Sequence, residues 1–238
     1  MLITGIEYTA VVSDEPEALL AAKAAGSAVI GLWQPDSKAD LTMARYLIER
    51  PEDLDRSYLE QVIRRTYGLP WQIAVTKRLV IRELQLSDLD RLPAEPEDSA
   101  GEQILKNRET LAAYIEHQYG FYGFGQWVLE EKNTGRLIGL AGVDMIRDEE
   151  DPELSGDDSL ELGYHVFAPY RRQGYAFEAC RAILPYAGET LGIRTFLIRT
   201  EAVNEASCRL AEKLNFIQCR KDNQQRPGLY HLSWCCSE

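Results

Sequence analysis

Between Leu160 and Leu191 the chain runs from an apolar stretch, Leu160 to Phe167, through Arg171-Arg172-Gln173-Gly174-Tyr175-Ala176 into a segment with helical spacing from about Ala176. A strand that feeds a turn opening a helix aims several main-chain N–H groups at one point. The helix dipole favours negative charge at that same point. Gly174 has no Cβ to keep an anion from the backbone, and Arg171 and Arg172 add charge that amides cannot supply. Such a turn can hold a pyrophosphate.

The rest of the chain supplies the layers around this element. Apolar runs at Tyr8 to Ser13 and Ala28 to Trp33 flank an alanine-rich helical stretch, Glu15 to Ala25, which Gly26 stops. Asp14 or Ser13 would cap that helix and Pro16 suits its first turn, so the pattern is βαβ. A short strand at Ala44 to Ile48 and a helix at about Leu54 to Tyr67 follow, ended by Gly68 and Pro70. The domain boundary is expected near Thr76, giving a small α/β segment over 1–75 and a second domain over 76–238. In the second domain the expected order is a strand at Lys77 to Arg82, a short helix capped by Ser87, an acidic loop at Pro93 to Gly101, and a helix from Glu102 to Tyr119. Strands at Gln126 to Glu131 and Arg136 to Ile146 then form a hairpin around Lys132-Asn133-Thr134-Gly135, followed by an acidic loop at Arg147 to Asp158. After the central turn come a strand at Thr195 to Thr200, a helix at Glu205 to Leu214, and strands at Phe216 to Arg220 and Gly228 to Trp234, with Asp222 to Arg226 as connector.

Bulk properties exclude several classes of partner. A formal net charge of -12 repels phosphate backbones and anionic head groups, so neither nucleic acid nor membrane is an expected partner. Met1 is not followed by a basic segment and an apolar cleavage-type run, and the chain reads as cytoplasmic. The five cysteines, Cys180, Cys208, Cys219, Cys235 and Cys236, show no paired C-x-x-C spacing, and the three histidines are widely separated. Neither a disulfide framework nor a metal site is expected.

The turn Arg171 to Ala176 matches the signature [Q/R]-x-x-G-x-[G/A], and it is followed by Asn204-x-x-Ser207 and by Leu214-Asn215-Phe216. In this context the chain from about Thr76 to its end resembles the GNAT superfamily of N-acetyltransferases. Glu161-Leu162-Gly163-Tyr164 and the residues after it give it the flavour of the ribosomal-protein alanine and serine acetyltransferase branch. The resemblance implies an α/β (α+β) GNAT fold with a mixed, mostly antiparallel central sheet flanked by helices. It implies acetyl-CoA as acyl-donor cosubstrate, no metal, and an amine acceptor. Backbone amides of Arg171, Arg172, Gln173, Gly174, Tyr175 and Ala176 are expected to cradle the pyrophosphate, and the backbone near Val166 and Phe167 to pair with the pantetheine. The resemblance places Asn204 along the pantetheine and Ser207 near the departing sulfur. The N-terminal stretch Asp14 to Gly31 resembles half of a HAD-type α/β domain, but nothing in Met1 to Val12 supplies that family's D-x-D-x-T nucleophile loop.

Acetyl transfer to an amine requires a neutral nitrogen, so a group must accept the ammonium proton. Glu161, a charged residue within an otherwise apolar strand and close to the turn, is the candidate base. Binding the amine electrostatically or pairing with an arginine are its other readings. Many relatives protonate the leaving thiolate with a tyrosine seven residues after the asparagine; Ala211 stands there, leaving Ser207 or water. Peptide N-termini and small-molecule amines both remain open as acceptors. A non-catalytic acyl-CoA sensor is the alternative from another class.

Overall fold

The computed structural model describes residues 1–93, 102–146, 158–221 and 228–234. The expected acidic loops at Pro93 to Gly101 and Arg147 to Asp158 fall almost wholly outside them, as do the connector Asp222 to Arg226 and the pair Cys235-Cys236. The chain divides into two compact units, Met1–Trp71 and Gln72–Glu238.

The first unit opens with a small antiparallel hairpin, β1 (Leu2–Ile3) and β2 (Ile6–Glu7), that the sequence reading did not anticipate. Then come β3 (Ala10–Ser13), α1 (Pro16–Ala24), β4 (Ala28–Leu32), β5 (Tyr46–Ile48) and α2 (Arg56–Thr66). β3, β4 and β5 form a parallel sheet in that order. As the central strand, β4 is buried from Ala28 to Gly31, which its unbroken apolar character requires. Neither Ser13 nor Asp14 caps α1: Glu15 stands at its N-cap with no side-chain cap bond, and Ser13 instead accepts from the Glu15 N–H at 3.0 Å ahead of the helix. Gly26 ends the helix with φ 79°, a conformation L side chains resist. Asp55 caps α2 through the Tyr58 N–H at 2.7 Å, and Val62 and Ile63 pack on Ala28 and Ile30.

The second unit is built on an eight-stranded sheet. Its strands are β6 (Gln72–Val75), β7 (Leu79–Arg82), β8 (Gln126–Glu131), β9 (Leu137–Met145), β10 (Ser159–Val166), β11 (Thr195–Thr200), β12 (Ile217–Arg220) and β13 (Gly228–Ser233). The order is β12-β13-β11-β10-β9-β8-β7-β6, and all neighbours are antiparallel except β10 and β11. This is the mixed, mostly antiparallel sheet expected. It begins at Gln72 rather than at Thr76, because Gln72–Val75 pairs with β7 as an edge strand.

Two helical expectations need correction. Ser87 does not cap a helix: Gln85 stands at the cap of a 3-10 turn, Leu86–Arg91, and Asp88 reaches back to the Gln85 N–H at 2.8 Å. The stretch expected as one helix from Glu102 to Tyr119 is broken into α3 (Glu102–Leu105), α4 (Arg108–Tyr114) and a π-helical segment, Ile115–Tyr122. Asn107 causes the break by accepting from the Thr110 N–H at 2.8 Å, a cap that competes with continuing the previous helix.

The remaining helices are α5 (Tyr175–Thr190) and α6 (Glu205–Lys213). Register assigns the two faces of the sheet. Trp127, Ala141 and Tyr164 lie in one row, and Trp127 is fully buried against Tyr186 of α5, with ring centroids 5.6 Å apart. Gln126, Gly142 and Gly163 form the adjacent row and therefore face the other way. Tyr164 and Val166 thus share the α5 face, whereas Glu161 and Gly163 share the opposite one.

Candidate active site

The parallel pairing of β10 with β11 stops early. Ser159, Leu160 and Glu161 pair with Thr195, Phe196 and Leu197, while β9 stays paired with β10 as far as Val166. Beyond Glu161 the two strands part, and β10 presents an unpaired edge toward β11 among the described residues. Phe167 gives its N–H to the Ile138 carbonyl at 2.9 Å, so by strand alternation Val166 turns its own N–H to the open edge. The Val166 carbonyl accepts from Arg171 Nε at 2.8 Å.

Next to this opening lies a cavity of about 610 Å³, lined by Tyr164 and Val166, by the turn residues Arg171, Arg172, Gly174, Tyr175 and Ala176, and by Asn204 and Ser207 of α6's first turn. Gly174 is the residue before α5 and has φ 81°, while Arg172 has φ 62°. Left-handed residues within a turn direct successive N–H groups into a concavity suited to an anion. The first N–H groups of α5 have no acceptor inside the helix and add to it. A Cβ on Gly174 would meet only Arg78 Nη2, at 3.7 Å, so backbone angle rather than crowding demands glycine there. Asn204 accepts from the Ser207 N–H at 3.2 Å, which fixes both residues on the cavity wall.

The site residues expected from the sequence do not all converge on this cavity. Val166, Arg171, Arg172, Gly174, Tyr175, Ala176, Asn204 and Ser207 line it. The Arg171 N–H is directed at the Ala168 carbonyl, at 3.4 Å. The Gln173 side chain turns back to the Pro169 carbonyl. Phe167 gives its N–H to Ile138, and its carbonyl accepts from the Tyr170 N–H at 2.8 Å. Its N–H therefore points into the sheet, whereas that of Val166 points to the open edge. Ala211 is fully buried in α6, and the hydroxyl on the wall near Ser207 is that of Tyr164, 3.5 Å from the Ser207 carbonyl. Burial pushes that phenol well above the ordinary tyrosine value, so it stays protonated.

Glu161 sits on the opposite face, half-buried, where the opening begins. Arg199 Nη1 is 3.2 Å from its Oε2, and Asp144 is directly across from it on β9. Gln126 Nε2 donates to Asp144 Oδ2 at 2.5 Å. Gly163 makes room for that amide, since a Cβ there would fall 2.9 Å from Gln126 Nε2. Hydroxyls hold Gln126 in turn: its N–H donates to the Tyr114 oxygen at 2.6 Å, and Tyr119 donates to its carbonyl. Sequence reading missed Asp144, Gln126 and Tyr164. Strand alternation from Glu161 would have separated Tyr164 from Glu161, but only register brings Asp144 beside it. Among the described residues, no group of His, Cys, Asp and Glu could hold a metal ion, and no helix is long and apolar enough to cross a membrane.

Comparison with known proteins follows the same outline. A family model described as the acetyltransferase (GNAT) domain matches residues 78–217. An uncharacterized N-acetyltransferase of Bacillus subtilis is 27% identical over 111 residues, 47% of this chain and 62% of its own length. The first curated relatives are matched over 51%, 62% and 65% of their length. Among solved structures, a protein described as a GNAT-family acetyltransferase from Bordetella pertussis superposes with a TM-score of 0.55 at 22% identity, over 66% of this chain and 97% of that one. The ribosomal-protein-S5-alanine acetyltransferase of Vibrio fischeri gives 0.52 at 14%, over 69% and 96%. At these identities the two structures attest to the fold. The resemblance of the first unit to a HAD-type half domain gains nothing from the family model, which begins at residue 78. Because that model spans more than half of the sequence and covers the split strand pair and the turn from Arg171 to Ala176, the chain belongs to the GNAT acetyltransferase family.

Proposed function

We propose that this chain is an acetyl-CoA-dependent N-acetyltransferase that passes the acetyl group directly to a primary amine in a ternary complex. The observation that carries the reading is the 610 Å³ cavity joining the nest at Arg172 to Ala176 to the unpaired edge of β10. The donor's pyrophosphate fits the nest, and a pantetheine amide fits the free edge at Val166 as an added strand would. The Val166 N–H also faces the place where a thioester carbonyl would need a donor.

The acceptor is assigned to the other face, at the Glu161 and Asp144 carboxylates. The ammonium ion gives its proton, through water, to Glu161. The amine nitrogen then attacks the carbonyl carbon and a C–N bond forms; the C–S bond breaks with its electron pair leaving on sulfur, and the nitrogen gives up its remaining extra proton to water. Arg199, 3.2 Å from Glu161 Oε2, holds the carboxylate in place. With Ala211 in place of an acid, the thiolate takes its proton from water or from a hydroxyl on the wall, Ser207 or Tyr164. A peptide N-terminus and a small-molecule amine both satisfy this chemistry. A non-catalytic acyl-CoA sensor would need the nest but not the carboxylates.

Replacing Glu161 with glutamine is the test. kcat/KM across an amine library should fall by about 10²-fold or more, with the affinity for acetyl-CoA unchanged. Full activity across the pH range would remove Glu161 from the proton path.

A further inference from the structure

Arg78 lies in the turn between β6 and β7, almost a hundred residues from the anion nest in sequence, yet it is fastened to the back of it. Its Nη1 donates to the Gln173 carbonyl at 3.0 Å, and its guanidinium lies 4.2 Å over the Tyr175 ring. Its Nε donates to Glu178 Oε2 at 2.6 Å, and its main-chain N–H donates to Glu178 Oε1 at 2.8 Å. The Thr76 hydroxyl donates to that same Oε1 at 2.6 Å. Tyr175 is tied down at its other end, donating its hydroxyl to Glu131 Oε1 at 2.6 Å.

Two consequences follow from this geometry. In a planar trans peptide the carbonyl and the next N–H point in opposite directions, so holding the Gln173 carbonyl from behind turns the Gly174 N–H to the front of the nest. Gly174 has little intrinsic preference between positive and negative φ, so its backbone does not fix that peptide without an outside anchor. The second consequence is electrostatic. Glu178 is in the first turns of the helix whose N-terminus must accept an anion, and an unbalanced carboxylate there would oppose it; Arg78 balances that charge.

We propose that Arg78 is a positioning residue for the phosphate-bearing end of the acyl donor, pinning the Gln173–Gly174 peptide and neutralising Glu178. This rests on reading the turn as the donor's cradle. Arg78 acts from behind and touches no reacting atom. A lysine in its place keeps the charge but lacks the planar fork that spans Glu178 and Gln173 and lies over Tyr175.

The experiment is calorimetric titration of the full chain with acetyl-CoA, and with S-acetylpantetheine, which has no phosphate, as competitor. Saturable binding of acetyl-CoA to the wild type establishes the cradle itself. Given that, Arg78→Met should weaken acetyl-CoA about tenfold and leave S-acetylpantetheine unchanged, and Arg78→Lys should fall between. Adding Glu178→Gln to Arg78→Met should recover about threefold by removing the exposed charge. Equal losses for both ligands would overturn the proposal, as would no loss in either Arg78 variant, with the reading of the cradle left intact. If Arg78→Met does not fold, the lysine variant carries the same comparison, and no difference between the two ligands there is equally fatal.

Discussion

Gly174→Glu should abolish measurable binding of acetyl-CoA, weakening it by on the order of 100-fold or more, while the protein remains folded. Two effects combine. At φ 81° a residue with a Cβ is strained by roughly 1–2 kcal/mol, and relaxing that strain turns the neighbouring amides out of the nest. The glutamate also puts a negative charge beside a ligand that is itself an anion. The added Cβ meets nothing closer than the end of Arg78, at 3.7 Å, and the turn borders the cavity, so the substitution should not unfold the domain. Gly174→Ala separates the two effects, since it keeps the strain without the charge; about a tenfold loss is expected, read by titration calorimetry with a thermal melt as the check on folding. Tight binding to the glutamate variant would place the donor elsewhere.

Asp88→Ala should be the most damaging change to stability outside the apolar core. Asp88 has no exposed side-chain surface, and Arg82, 9% exposed, grips it with two parallel bonds of 2.8 Å. Arg91 adds a third contact at 3.1 Å, and the carboxylate also accepts from the Gln85 N–H. Glu130 would still meet Arg82 Nη2 at 2.7 Å, so the alanine variant opens one side of a desolvated network rather than stranding the guanidinium, at a cost of about 3 kcal/mol, the low end for a broken buried pair. For a unit of this size the melting temperature should drop by roughly 10 °C. Asp88→Asn keeps an acceptor for Gln85 and should lose less. A loss below about 1 kcal/mol for the alanine variant, measured by urea unfolding, would show that water reaches the pair.

What the sequence made legible was local. Gly174 is called for by one backbone angle, the arginines beside it by one charge, and the strands by alternation within a few residues, so these needed no knowledge of distant neighbours. Asn215 is similar: its φ of 66° is the left-handed angle that asparagine tolerates better than most residues. The failures share a different character. Gln72–Val75 is too short to announce itself and becomes a strand only by pairing with β7. The helical rhythm from Glu102 to Tyr119 conceals both the Asn107 cap and the π-helical segment, whose Tyr119 hydroxyl accepts from the Leu84 N–H and bonds the Gln126 carbonyl. Glu161 stood out as a charge in an apolar strand, yet its setting depends on Asp144 across the ladder and Arg199 on the next strand, and neither is within reach of a spacing rule. The direction of the Phe167 N–H, toward Ile138, was out of reach for the same reason, because which edge a backbone group faces is settled by its partner.

Resolving the backbone amides of Gly174, Tyr175 and Ala176 by NMR while acetyl-CoA is added tests the central claim most directly. Those resonances should shift together, saturate at one ligand per chain, and respond in the same direction to inorganic pyrophosphate. Saturable binding that leaves all three amides unmoved would contradict the assignment of this turn as the donor's anion site.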